Sequence, residues 1–308
     1  MKVAVLGYGT VGAGVYSMLS DAPGMEAGPV LVRPGKAVES FMVSDAALIF
    51  GDPTVDAVVE TLGGLDPAYS YGMRALEAGK HFITANKAMV AAHGLELAAL
   101  AREKGAAFLF SAACGGGVPF LHNLALSAEI DRIEAVSGIL NGTTNYMLDA
   151  MQRRSLSYGD ALREAQSLGY AESDPTADVS GLDALRKMQL ACAVAFGVLP
   201  QSGMLCEGME HFTAADVEDI QSRGLVCRLM ARGSRAGESV SAYVEPVLFP
   251  RAAPESSVFT NNNMARYTGK RCGSIVLMGQ GAGRFPTASA VLRDLSAAQQ
   301  GARSMFPE

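Results

Sequence analysis

The apolar run Val3-Ala4-Val5-Leu6 passes directly into Gly7-Tyr8-Gly9-Thr10-Val11-Gly12, and a helical stretch, Ala13 to Leu19, follows at once. Three glycines at this spacing recur by chance in many chains. Between a strand and a helix they have a specific use: Gly7 allows the tight turn, Gly9 lets a pyrophosphate approach the backbone, and Gly12 permits close helix packing. The helix N-terminus then faces the phosphates, and Thr10 and Val11 join the three glycines as candidate cofactor contacts. A dinucleotide-binding fold is the expectation for the start of the chain.

The pattern downstream agrees. Val3 to Leu6, Val30 to Val32, Ala47 to Phe50, Ala57 to Glu60, His81 to Thr84 and Ala107 to Phe110 read as short strands, several of them almost continuously apolar. Parallel strands covered on both faces have that texture. Helical stretches lie between them, Tyr69 to Ala78 and Gly94 to Lys104 among them. The alternation predicts an α/β fold, a Rossmann-type doubly wound parallel sheet.

After Gly115-Gly116-Gly117 the texture changes to α+β: helices at Pro119 to Ser127, Tyr146 to Arg153, Tyr158 to Leu168 and Leu182 to Phe196, and strands at Ile133 to Leu140 and within Leu225 to Phe249. A last helix, Thr287 to Gln299, follows Gly279-Gln280-Gly281-Ala282-Gly283. The expected division is a dinucleotide-binding domain at 1–117, completed by the C-terminal helix 285–308, and a substrate-binding, catalytic and dimerisation domain at 118–284.

Charge and cysteine usage narrow the partners. The 308 residues carry a net charge of −6 without a basic run interleaved with aromatics, which argues against a nucleic-acid surface. The 5 Cys and 4 His are scattered and form no CxxC pair, so neither a disulfide framework nor a zinc site is signalled. No signal-peptide pattern precedes the first strand, and no apolar run reaches membrane-spanning length. A cytoplasmic protein acting on a small molecule, without a membrane partner, is expected.

The second strand lacks the ribose-binding acid that favours NAD. Arg33-Pro34-Gly35-Lys36 stands there instead, and cations suit a 2′-phosphate, so Arg33 and Lys36 favour NADP over NAD. Solvated loop charges are the competing reading of the same two residues.

Gly169 to Lys187, GYAESDPTADVSGLDALRK, gathers four acidic residues, one Arg and one Lys around turn signals. Ser180 with Asp183 three positions on resembles a capping box at a helix start. Asp183 and Lys187 are then at i,i+4 on one face. An exposed pair of this kind is worth only about 0.3–0.5 kcal/mol. Here the face continues through Leu190, Ala191 and Val194 while Leu182, Leu185, Cys192 and Phe196 cover the other, and a helix apolar nearly all round is buried. A buried ion pair needs a reason beyond stability, and burial lowers a lysine pKa toward the range useful for proton transfer, although a neighbouring carboxylate opposes that shift. Asp183 and Lys187 are the candidate catalytic pair. Lys87 follows the apolar strand at Phe82-Ile83, at the sheet end where open α/β folds bind ligands, and is a further candidate.

Taken together these segments resemble homoserine dehydrogenase, of the short form without a C-terminal ACT domain. The resemblance rests on GYGTVGAGV at 7–15, VVETLGG at 58–64, TANKA at 84–88, GILNGTTNYML at 138–148, GYAESDPTADVSGLDALRK at 169–187 and GQGAGRFPTASAV at 279–291, in that order and over most of the chain. It implies NAD(P)-dependent interconversion of L-homoserine and L-aspartate 4-semialdehyde, a step toward threonine and methionine. By the resemblance Lys187 is the general acid of the reductive direction and Asp183 orients the substrate hydroxyl region. Glu172 would bind its ammonium group, Lys87 would assist in binding or proton transfer, and Asn141, Gly142 and Thr143 would line the site. Gly279 and Gly281 would approach the cofactor. The family is dimeric, so a homodimer is expected.

The resemblance also implies a sodium or potassium site, with the backbone carbonyls of Cys114, Gly116 and Val118 as ligands. Ser111 stands where the family usually has a Glu belonging to that site, so weaker binding is expected. Two other readings stay open. Cys114 beside the Gly cluster would be the nucleophile of a semialdehyde dehydrogenase. Alternatively, the chain is an inactive paralogue or dinucleotide-binding sensor that kept the fold.

Overall fold

A computed structural model describes residues 1–200, 204–237 and 239–307. The chain divides into two compact units, Met1–Ala125 with Ala282–Glu308, and Leu126–Gly281.

In the first unit the elements run β1 (Lys2–Leu6), α1 (Thr10–Leu19), β2 (Glu26–Leu31), β3 (Met42–Val43), α2 (Ala47–Phe50), β4 (Ala57–Glu60), α3 (Ala68–Glu77), β5 (His81–Thr84), α4 (Lys87–Lys104), β6 (Phe108–Leu109) and α5 (Phe120–Ile130). The last of these continues into the second unit. The six strands form one sheet in the order β3-β2-β1-β4-β5-β6. Every pairing is parallel. This is the doubly wound sheet that the apolar runs predicted, and its chain reversal beside β1 is where such folds bind ligands. Val3, Ala4, Val5, Leu6, Val58 and Val59 are all 0% exposed, as strands covered on both faces require.

Ala47 to Phe50 is not a strand. Asp45 accepts the Ala47 amide at 2.8 Å on its side chain and the Leu48 amide at 3.2 Å on its carbonyl, and one helical turn follows. A short apolar run between turn residues has no period to separate the two states. The strand is instead Met42–Val43, paired to β2.

The second unit runs β7 (Ile133–Ile139), α6 (Gly142–Arg154), α7 (Tyr158–Ser167), α8 (Thr176–Val179), α9 (Leu182–Phe196), β8 (Leu205–Cys206), α10 (Ala214–Ser222), β9 (Leu225–Ala236), β10 (Ser239–Pro250), β11 (Asn262–Gly269) and β12 (Gly273–Gln280). Its strands form a second sheet, ordered β12-β11-β7-β9-β10-β8. Ile139, Met230, Val258 and Met264 make a core beneath it. The hairpin β11–β12 was not expected from the sequence. β12 is an edge strand with Ile275, Val276 and Met278 exposed, so it carries no alternation of buried and solvated positions.

α11 (Arg284–Gln299) belongs to the first unit. It packs so closely on α1 that a Cβ at Gly14 would stand 2.9 Å from Arg284 and 3.3 Å from Ala288. The C-terminal segment then pairs with β6, the Phe108 amide donating to the Arg303 carbonyl at 2.9 Å. Among the described residues no helix is long and apolar enough to cross a membrane.

Candidate functional site

At the carboxyl end of β1, Gly7 takes φ 98 and donates its amide to the Leu31 carbonyl at 2.9 Å. Gly9 caps α1 with no side-chain hydrogen bond, which leaves the helix amides for a ligand. A Cβ added to Gly9 would meet nothing within 4 Å, whereas one at Gly12 would lie 2.1 Å from the Gly7 carbonyl oxygen. Gly9 leaves the space before the helix N-terminus open, and Gly12 lets the helix close onto the turn. Thr10 and Val11 occupy the first turn of α1. Exposed Arg33 and Lys36 sit in a turn just past β2, the Lys36 amide donating to the Arg33 carbonyl at 3.0 Å.

The ends of β4 and β5 are tied by Glu60, which is 0% exposed. Its carboxylate accepts the Leu62 amide at 2.6 Å and the Thr84 hydroxyl at 2.6 Å. Asn86 caps α4 by accepting the Met89 amide at 3.1 Å, and half-buried Lys87 is the first residue of that helix. Gly7, Arg33, Glu60 and Lys87 thus mark the carboxyl ends of four adjacent strands.

In the second unit α6 begins at Asn141. The Asn141 side-chain oxygen accepts the Thr144 amide at 2.8 Å, which aims the Nδ2 group away from the helix. That group donates to Asp178 at 2.7 Å and to Asp183 at 2.9 Å. Asp183 in turn stands 2.7 Å from Lys187 Nζ, which also donates to the Leu140 carbonyl at 2.8 Å. Gly142 lies too close to the Asn261 carbonyl for a side chain, at 2.7 Å from an added Cβ, and Thr143 donates to the Tyr170 carbonyl at 2.6 Å. Burial pushes the Asp178 carboxyl above its usual range, aided by the Asp183 charge and opposed by Asn141, Thr143 and Lys187. The result is a buried network of two carboxylates, one carboxamide and one ammonium, able to hold a polar substrate and move a proton.

The capping box expected at Ser180 and Asp183 is absent. Gly181, at φ 81, is the N-cap, and Ser180 Oγ is buried without a hydrogen bond. Lys187 and Asn141 take the Asp183 carboxylate instead. Leu182 is 39% exposed and does not cover the helix as expected. Glu172 is exposed on the loop between α7 and α8 and is joined to none of the hydrogen bonds of this network.

Asp178 escaped the sequence reading. It precedes Asp183 by five positions, off a shared helical face, and only the turn at Gly181 brings both to Asn141. Asn263 also escaped it: this side chain is 1% exposed with both polar atoms unpartnered. It fills the space beside Gly281, where an added Cβ would come within 2.1 Å of it, while Gly279 pairs with it across β11 and β12.

The loop at Ser111–Pro119 is organised by α11. Ser111 donates its amide at 2.8 Å and its hydroxyl at 2.6 Å to the two oxygens of Asp294. Burial raises the Asp294 carboxyl to about 7, against those hydrogen bonds and the Arg293 charge. Arg293 Nη2 donates to the Gly117 carbonyl at 3.0 Å, and the Val118 carbonyl accepts the Phe120 amide at 2.7 Å. Among the described residues no group of three or more His, Cys, Asp or Glu is placed to hold a metal. Cys114 is 0% exposed, whereas a nucleophilic thiol has to be ionised and reachable.

Comparison with known proteins identifies the family. The family model "Homoserine dehydrogenase, NAD binding domain" matches residues 7–111, and the model "Homoserine dehydrogenase" matches residues 119–296. A homoserine dehydrogenase of Synechocystis sp. is 37% identical over 319 residues, covering 96% of this chain and 72% of that protein. One from Corynebacterium glutamicum is 38% identical over 314 residues, covering 95% and 70%. The solved structure of a homoserine dehydrogenase from Thiobacillus denitrificans superposes with a TM-score of 0.91 at 34% identity, over 100% of this chain and 77% of that one. Neither the Cys114 nucleophile nor the inactive sensor is favoured by these matches. The chain belongs to the homoserine dehydrogenase family, NAD(P)-dependent oxidoreductases that act on a CH–OH group.

Proposed function

We propose that Lys187 is the proton-transfer residue of the interconversion of L-homoserine and L-aspartate 4-semialdehyde, with Asp183 as its orienting partner. The observation that carries this is the Lys187 ammonium held between the Asp183 carboxylate and the Leu140 carbonyl, with 14% of its side chain exposed. The bound nicotinamide supplies or accepts the hydride. On the protein side, negative charge grows on the substrate oxygen as the aldehyde is reduced, and a fixed ammonium stabilises it and then delivers the proton. Asp183 keeps that ammonium in place, and Asn141 prevents Asp178 and Asp183 from facing one another without a donor between them.

The remaining roles follow the same reading. Asn141, Gly142 and Thr143 line the substrate site, Glu172 takes the ammonium of the amino acid, and Lys87 assists. Gly7, Gly9, Thr10, Val11, Gly12, Gly279 and Gly281 hold the dinucleotide. Arg33 and Lys36 at the end of β2 favour NADP over NAD, because a 2′-phosphate there meets two cations and no acid. The working unit is a cytoplasmic homodimer. No step is assigned to Na or K.

Initial rates of L-homoserine oxidation with NADP or NAD test the reading, followed at the reduced-nicotinamide absorbance. Turnover that is faster with NADP and lost in Lys187→Ala is expected. Cofactor binding without turnover in either direction would overturn it in favour of the sensor.

A further inference from the structure

We infer that the Arg293 guanidinium is the resident cation of the Ser111–Val118 loop, standing in for a sodium or potassium ion and making the enzyme independent of both. The activity arm of this inference rests on the proposed function; the binding arm does not.

An alkali cation needs several oxygens turned toward one point, with negative charge to offset its lost hydration. The loop lacks a carboxylate of its own for that set, and one of its three expected carbonyls is already engaged. At Ser111 a hydroxyl stands where a carboxylate ligand would, and its proton and the neighbouring amide are both directed at Asp294. The Val118 carbonyl, one of the expected ligands, already accepts from Phe120 at 2.7 Å. The Gly117 carbonyl, between Gly116 and Val118, accepts from Arg293 at 3.0 Å.

Charge points the same way. Asp294, 1% exposed, is the carboxylate that organises the loop, and Arg293 is its neighbour on α11, with an opposite charge felt by both groups. With Asp294 ionised the pair has no net charge, and with Asp294 protonated, as it is below about 7, the pair is positive. Adding an alkali ion beside it would leave a net positive charge out of water and next to a guanidinium, which like-charge repulsion and desolvation both oppose. The guanidinium is also planar and multiply donating, so it can hold a carbonyl in a fixed direction. Arg293 acts here as a positioning residue: it holds the backbone between Cys114 and Val118 in the shape that an ion would otherwise impose.

The test uses the full chain in chloride solutions of sodium, potassium or N-methylglucamine at equal ionic strength. For the native chain, rates of homoserine oxidation should agree within about twofold, and melting temperatures should not respond to the cation. Arg293→Ala should lose about tenfold or more in rate, and potassium or dilute guanidinium chloride should restore part of it and raise the melting temperature of the variant. Arg293→Lys keeps a cation at the loop and should stay insensitive to the salt. A native chain whose melting temperature rises specifically with sodium or potassium would overturn the inference. So would an Arg293→Ala chain that is unaffected, or impaired without rescue. If the native chain does not turn over at all, the proposed function fails, while the melting comparison still decides whether the loop binds an ion.

Discussion

Lys187 Nζ lies 2.7 Å from Asp183 Oδ2 one helical turn away, with 14% and 10% of the two side chains exposed. Desolvation makes such a pair a poor source of stability, and replacing both partners by apolar groups is often neutral or better. Activity and stability should therefore separate. Lys187→Ala is expected to lower kcat by about 10²–10⁴-fold with cofactor affinity nearly unchanged. The double variant Lys187→Met, Asp183→Leu should melt no lower than the single one and stay inactive, as calorimetry and steady-state rates would show. Near-normal turnover in Lys187→Ala removes the assignment.

Asn141 shares one amide group between Asp178 and Asp183. Its hydrogen bond lowers a carboxyl that burial has raised, so Asn141→Leu should move the Asp178 titration to still higher pH. Carbon-detected NMR of the side-chain carboxyls would follow it. A titration that stays in place, with turnover intact, would show that the network has no part in the chemistry.

Arg33 and Lys36 are exposed, and the proposal that they select NADP can be tested by removing one charge. A charge-assisted contact to a phosphate is worth about 1.5–3 kcal/mol, so Arg33→Ala should weaken NADP by roughly 10–100-fold and leave NAD unchanged. Equal losses for both cofactors would mean that the arginine acts on the loop and not on the 2′-phosphate.

Gly12→Ala would put a methyl group 2.1 Å from the Gly7 carbonyl oxygen and 2.7 Å from Thr61 Oγ1. Backbone cannot yield as a flexible side chain can, so the turn should open, at a cost of about 1–3 kcal/mol, and dinucleotide binding should fail. Isothermal titration with NADP would check it. Gly9→Ala, where the added group meets no protein atom, should fold normally and interfere only with the ligand.

Asp294 carries its own pH dependence. Its carboxyl titrates near 7, at about 7 in the folded chain against an ordinary value of 3.8. A raised carboxyl binds its proton more tightly when folded, so its contribution to stability is greatest below the ordinary value. Between the two values that contribution declines as pH rises, at about 1.4 kcal/mol for each pH step of one. Above about 7 the decline ends. Asp294→Asn should flatten this slope in a pH series of denaturant melts. An unchanged slope would show that Asp294 is ionised throughout.

Much of the first unit is legible in the sequence. Val3 to Leu6 and the glycines behind it state their structure locally, because a strand, a tight turn and a helix start each leave a signature within a few residues. The apolar faces of α9 likewise marked it as buried, and its i,i+4 pair was visible from the period alone. Ala47 to Phe50 failed because four apolar residues hold no period, and β12 failed because an exposed edge strand has no buried face to announce it.

The sequence by itself determined the parts whose physics is local: the dinucleotide turn, the alternation of apolar strands and helices in the first unit, and the Asp183–Lys187 pair on one face of α9. Only the tertiary structure decided what those parts meet. Asn141 reaches Asp178 and Asp183 across 37 and 42 positions, and Ser111 finds Asp294 across 183. No propensity or spacing encodes such meetings, since they depend on how strands pair and how helices return to a sheet. They decide which polar group is buried, which carbonyl is occupied and which charge is compensated.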